Sequence, residues 1–159
     1  MDKCPLSHIV NRRLTMQADR IFDILGTRQI GGGKTKNRDV VEVIREGLPA
    51  ATGRRVIEYY RLSDNQAESV LGFSLKTLKR RATSPKRRLS SLQSDRIYRL
   101  ARIGAHAEEV FGESNKARDW MRSPNRVLKG TAPMDLLDTD AGAEQVDELL
   151  TSIEYGIFS

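Results

Sequence analysis

The sequence predicts an all-α protein, and three observations carry that prediction. Apolar residues recur at helical spacing through most of the chain. Capping residues stand where those periods begin. The alternating strands of a nucleotide-binding fold are lacking, and no self-similar period appears. Residues 1–14 have no clear period and read as prone to disorder. Residues 15–25 predict a short helix on Met16, Ile21, Ile24 and Leu25, broken by Gly26 and then by Gly31-Gly32-Gly33, so 26–37 reads as a flexible loop. Val40, Val41, Val43 and Ile44 predict a helix that ends before Gly47-Leu48-Pro49.

From Thr52 the pattern sharpens. Val56, Ile57 and Tyr60, with the stem of Arg61, share one helical face. Ser63 followed by Gln66 is the signature of a capping box opening a second helix, with Ala67, Val70 and Leu71 inward and Gly72 at its end. Ser74 caps a third, with Leu75 and Leu78 inward, and Ser84-Pro85 stops it. Residues 92–111 form the strongest period, through Ile97, Leu100, Ala101, Gly104 and Phe111, closed by Gly112. Ser114 is expected to cap a short helix holding Ala117, Trp120 and Met121, which ends at Pro124-Asn125. Pro133 opens a single turn with Met134, Leu136 and Leu137. Thr139 caps the last helix, on Ala143, Val146, Leu149, Leu150 and Ile153, with Gly156 just past its end.

At 159 residues the chain suits one domain or two very small ones. No stretch approaches the roughly 20 apolar residues of a membrane span, and Met1-Asp2-Lys3-Cys4-Pro5 lacks a signal peptide's apolar core, so a cytoplasmic protein with no membrane partner is expected. Cys4 is the sole cysteine and His8 and His106 the only histidines, which leaves no disulfide and few soft metal ligands. The net charge of +6 conceals a split. Residues 1–48 carry net +3, residues 53–102 net +9, and residues 103–159 net −6. A basic middle joined to an acidic end suggests two partners of opposite character.

Four motifs invite a functional reading. Gly33-Lys34-Thr35 resembles the end of a phosphate loop, but the glycine required five positions earlier is Arg28, and the alternating strands of that fold are missing. Residues 63–82 fit a helix-turn-helix, in which one helix braces on the backbone and a second enters the major groove. Ser74, Lys76, Thr77, Lys79, Arg80 and Arg81 would meet phosphates and base edges, and Lys86-Arg87-Arg88 extends the basic run. One position resists: four before Gly72, where a small alanine usually faces the partner helix, stands Glu68. Either its side chain turns outward or the inter-helix angle differs. The acids Asp135, Asp138, Asp140, Glu144, Asp147, Glu148 and Glu154 have no histidine or cysteine to act with and read as a solvated face, and His106 reads as a surface residue. Trp120 reads as a core anchor. Tyr155, Ile157 and Phe158 form an apolar tail that either packs back on the domain or inserts into a partner's cleft. No enzyme active site and no cofactor site emerges.

Residues 90–159 resemble the C-terminal region of Xre-type antitoxins from bacterial RES–Xre toxin–antitoxin pairs. The resemblance rests on the spacing of Glu108-Glu109-Val110-Phe111-Gly112, Ala117, Trp120-Met121, Ser123-Pro124-Asn125, Leu128 and Gly130. It continues through Ala132-Pro133-Met134-Asp135-Leu136-Leu137-Asp138-Thr139, Gly142, Val146, Leu149-Leu150 and the terminal Ile153 to Phe158. A fainter likeness extends through 63–82. The resemblance implies an antitoxin that needs no cofactor and neutralises a RES-domain toxin, an enzyme consuming NAD⁺, by covering its active site. That role would fall on Ile153, Glu154, Tyr155, Gly156, Ile157, Phe158 and Ser159. It also implies repression of its own operon as a dimer, through the helix-turn-helix on operator DNA. The expected organisation is an N-terminal extension over 1–49, a DNA-binding part over 50–89 and a toxin-binding part over 90–159. A stand-alone dimeric helix-turn-helix regulator with no toxin is the alternative.

Overall fold

The local signals act where they stand. Ser63 Oγ accepts the Gln66 N–H at 3.2 Å while the Gln66 carboxamide accepts the Ser63 N–H, and Ser90 and Gln93 repeat the same reciprocal arrangement. Each box satisfies orphan N–H groups at a helix start and is worth about 1 kcal/mol. The computed structural model describes residues 19–26, 40–82 and 88–156, which hold helices and no β-strand. Helix α1 covers residues 19–25 and turns at Gly26. After it come α2 (Val40–Glu46), α3 (Ala50–Tyr60) and α4, which starts as Asp64–Gln66 and continues as a π turn over Ala67–Leu71. Then follow α5 (Leu75–Ala82), α6 (Ser91–Phe111), α7 (Ser114–Arg122), a 3₁₀ turn over Pro133–Leu136 and α8 (Asp140–Tyr155). The expected disorder of residues 1–14, the start of the first helix and the loop beyond Gly26 lie outside the described residues.

Helix α6 is the axis of the molecule. It touches α2, α3 and the π turn of α4 on one side of the chain and α7 and α8 on the other. A helix contacted so widely needs small residues, and it buries Ser94, Ala101, Gly104, Ala105 and Ala107 along with Ile97, Leu100 and Ile103. At Gly104 the ring of Tyr60 lies against the α6 backbone, where any Cβ would collide with the phenol oxygen. That oxygen is buried with no hydrogen-bond partner among the described residues. Ser94 ties the start of α6 to the α2–α3 connection: its Oγ accepts the Leu48 N–H at 2.8 Å and donates to the Ser90 carbonyl at 2.8 Å.

Two expectations change in detail, and two core residues are added. Arg61 does not join the buried face of α3; it caps the helix with φ of 50° and its side chain is exposed. Ser114 does not cap α7 but is its first helical residue, and the N-cap is Glu113 without a side-chain bond. Phe73 and Leu89, which carry no periodic signal, are buried and pack on Gly53. Thr139 does cap α8, accepting the Gly142 N–H at 3.1 Å, and Gly156 follows the helix at φ of 63°.

Candidate functional site

The first candidate surface is the α4–α5 corner. Gly72 makes the turn at φ of 76°, a conformation that costs glycine little, and the Arg96 guanidinium of α6 lies directly over it. The π turn resolves the difficulty at Glu68. An α-helix that gains one residue per turn rotates everything before the insertion. Ala67, five residues before Gly72, is therefore the small residue buried in the core, and Glu68 is exposed.

On α5, Ser74 Oγ accepts the Thr77 N–H at 3.3 Å and lies 3.1 Å from Thr77 Oγ1, so the two hydroxyls cap the helix together. Lys76 and Arg80 are exposed. The side chains of Lys79 and Arg81, and all of Lys86 and Arg87, lie outside the described residues. Arg88 is placed differently from the rest. Its Nη1 donates to the Gly47 carbonyl at 2.8 Å and lies 3.8 Å from Glu46, so it braces α2. The basic middle is thus not one free face. Arg55 donates to the carbonyls of Asp23 and Ile24, Arg54 pairs with Glu58, and Arg99 and Arg102 reach acids of α8.

The second candidate surface is the end of α8. Helices α6 and α8 are joined by ion pairs that advance in step along both, so the two run in the same direction. Arg99 meets Asp140 at 2.6 Å, Arg102 meets Asp147 at 3.2 Å, and His106 meets Asp147 at 2.7 Å and Glu154 at 3.8 Å. His106 is therefore not a surface residue: its side chain is only 12% exposed. Nor are the acids uniformly a solvated face. The His106 hydrogen bond, opposed by partial burial and helped by Arg102, holds the Asp147 carboxyl below the ordinary carboxylate range. Beyond this zipper, Ile153 packs on the core, Glu154 is half-buried, and Tyr155 and Gly156 are exposed. Ile157, Phe158 and Ser159 lie outside the described residues.

Two contacts join the N-terminal helices to the C-terminal region. The Tyr59 hydroxyl on α3 donates to the Glu108 carboxylate on α6, while the Arg118 guanidinium of α7 sits 4.7 Å over the Tyr59 ring. Burial, and then the Glu108 hydrogen bond, push the Tyr59 hydroxyl above its usual range. Farther along, Gln66 Nε2 at the start of α4 donates to Asp135 of the 3₁₀ turn at 3.1 Å. Trp120 is half-buried and packs on Phe111 with ring centroids 5.4 Å apart. Among the described residues no cluster could hold a metal, and no helix is long and apolar enough to cross a membrane.

Comparison with known proteins matches both regions. Residues 39–102 match the antitoxin Xre-like helix-turn-helix domain, and residues 106–156 match the antitoxin Xre/MbcA/ParS C-terminal toxin-binding domain. An Antitoxin Xre of Photorhabdus laumondii is 30% identical over 133 residues, 83% of this chain and 89% of the relative. The chain belongs to the Xre antitoxin family. An Antitoxin Xre of Pseudomonas putida is 45% identical over 64 residues, 40% of each chain. The Prs ADP-ribosylating antitoxin of a Sphingobium species is 28% identical over 130 residues, 76% of this chain and 81% of that one. A solved M. tuberculosis MbcT–MbcA toxin–antitoxin complex contains a chain similar at 27% identity and TM-score 0.48, covering 69% of this chain and 96% of that one. The two Xre domain matches meet within α6, so the helix that supports the α4–α5 corner also supports α8.

Proposed function

We propose that this chain neutralises a RES-domain, NAD⁺-consuming toxin with its C-terminal segment and represses its own operon through the α4–α5 corner. The observation that carries the reading is the pairing, in one chain of the Xre family, of a helix-turn-helix match with a toxin-binding match. Toxin contact is assigned to residues 153–159, supported by the exposure of Tyr155 just past the last zipper pair. A large apolar ring at a terminus makes a good anchor because it can fill a pocket and exclude water from it. The NAD⁺ chemistry belongs to the toxin, and the antitoxin contributes occlusion alone.

Operator contact is assigned to Ser74, Lys76, Thr77, Lys79, Arg80 and Arg81, with Lys86 and Arg87 beyond the helix. Arg88 is dropped from that set, since it braces Gly47 and Glu46. Repression would use a dimer, each copy supplying one recognition helix to one half-site. Co-expressing the chain with a RES-domain toxin tests the reading: growth should be restored by the full chain and lost on deletion of 153–159, while operator binding survives. Full protection by the truncated chain would remove the plug from the account.

A further inference from the structure

We infer that the turn between α7 and the 3₁₀ segment, residues 123–131, is a second contact for the toxin, a basic hook with an apolar tip. It rests on the toxin-binding reading above and adds a surface to it. Asn125 is the hub of the turn. Its backbone carbonyl accepts the N–H groups of Leu128 at 3.1 Å and Gly130 at 2.8 Å, its N–H donates to the Thr131 carbonyl at 3.1 Å, and its side-chain oxygen accepts the Val127 N–H at 2.9 Å. Leu128 anchors the turn in the core, and Lys129 is held at φ of 57°, which a lysine rarely adopts. The loop is thus set in one shape before any partner arrives.

Its tip is unusual for a surface. Val127 is 67% exposed, the most exposed large apolar residue among those described. Arg122, Arg126 and Lys129 flank it along the chain, all exposed, and none forms an ion pair among the described residues. The acidic third has five basic residues, and the other two are engaged: Lys116 pairs with Glu113 and Arg118 covers Tyr59. Every unpaired cation of this region is therefore gathered on one hook.

A preformed apolar tip loses little entropy on docking, and rim charges steer the approach. The surface that fits is a protein one: a shallow apolar dent ringed by Asp and Glu side chains. Duplex DNA fits less well, because Asp119, Asp135 and Asp138 are exposed nearby in the chain and would repel phosphates, and a valine has no use there.

The test titrates a catalytically inactive RES-domain toxin with the full-length antitoxin by calorimetry and stopped flow. Val127→Asp should weaken binding about tenfold or more. The combined Arg122→Gln, Arg126→Gln, Lys129→Asn variant should slow association about tenfold at low salt and flatten its salt dependence; asparagine tolerates the left-handed backbone at 129. All four side chains are exposed, so unchanged melting by circular dichroism is expected and separates a lost contact from a lost fold. Wild-type binding by both variants overturns the hook while leaving the toxin-binding reading intact. No toxin binding by the unmodified chain overturns both. If the triple variant instead loses affinity for duplex DNA with toxin binding unchanged, the hook is a phosphate contact and the inference fails.

Discussion

The N-terminal and C-terminal halves of α6 use their basic side chains in two ways. Toward the start, Arg96 lies over the turn glycine of the α4–α5 corner. Farther on, Arg99 and Arg102 pair with Asp140 and Asp147 of α8, while His106 hydrogen-bonds Asp147 and lies 3.8 Å from Glu154. Part of the basic middle and part of the acidic end therefore pair with each other across α6 and α8. What each region leaves exposed differs from its sum: Lys76 and Arg80 on α5, and a cationic hook within the acidic third. Net charge by segment reports packing as well as partners.

If the basic residues of α5 meet DNA, replacing Lys76, Lys79 and Arg80 with alanine has the largest effect. Removing three phosphate contacts should flatten the salt dependence of operator binding by two to three units of slope and lower affinity at 0.1 M salt by about two orders of magnitude. Fluorescence anisotropy across a salt series measures this, and an unchanged slope would move the DNA face away from α5. The packing of the two regions on α6 is broken next. Gly104→Ala drives a methyl into Tyr60 and should cost about 3 kcal/mol in urea unfolding. Adding Tyr60→Phe should recover part of that loss, and Tyr60→Phe alone should be close to neutral because its hydroxyl has no partner among the described residues.

The zipper is weaker. Asp147→Asn should cost about 1–2 kcal/mol, discounted for the carboxylate's partial exposure. Because the folded Asp147 carboxyl is held low, its contribution is present above the unfolded value of about 3.9 and is lost as pH falls below it. The two tyrosines act at the opposite limit. Burial raises both hydroxyls, so the unfolded chain ionises first and stability should fall as pH rises above about 10. A pH series of melting curves tests both signs, and Asp147→Asn should remove only the acid limb.

What was legible from the sequence is whatever acts within a few residues. The Ser63–Gln66 box, the Thr139 cap and the glycine stops at 72, 112 and 156 are local contacts, and each forms where its signature stands. The π turn has no such short-range signature: it buries Ala67 in a segment that packs on α6. Glu68 consequently looked like a defect in the helix-turn-helix. The His106–Asp147 pair spans 41 residues and the Arg102–Asp147 pair 45, so no window along the chain brings them together. The same distance hid the bracing role of Arg88, 41 residues from the carbonyl it holds. For the tail the sequence carried the chemistry, a cluster of large apolar residues, but not its surroundings.

Occlusion by that tail is the central claim, and truncation past α8 tests it without disturbing the zipper. NAD⁺ consumption by a purified RES-domain toxin should be measured with the full chain and with a chain ending at Tyr155. The account predicts that both chains bind the toxin and that only the full chain stops turnover. Equal inhibition by the shortened chain would contradict it.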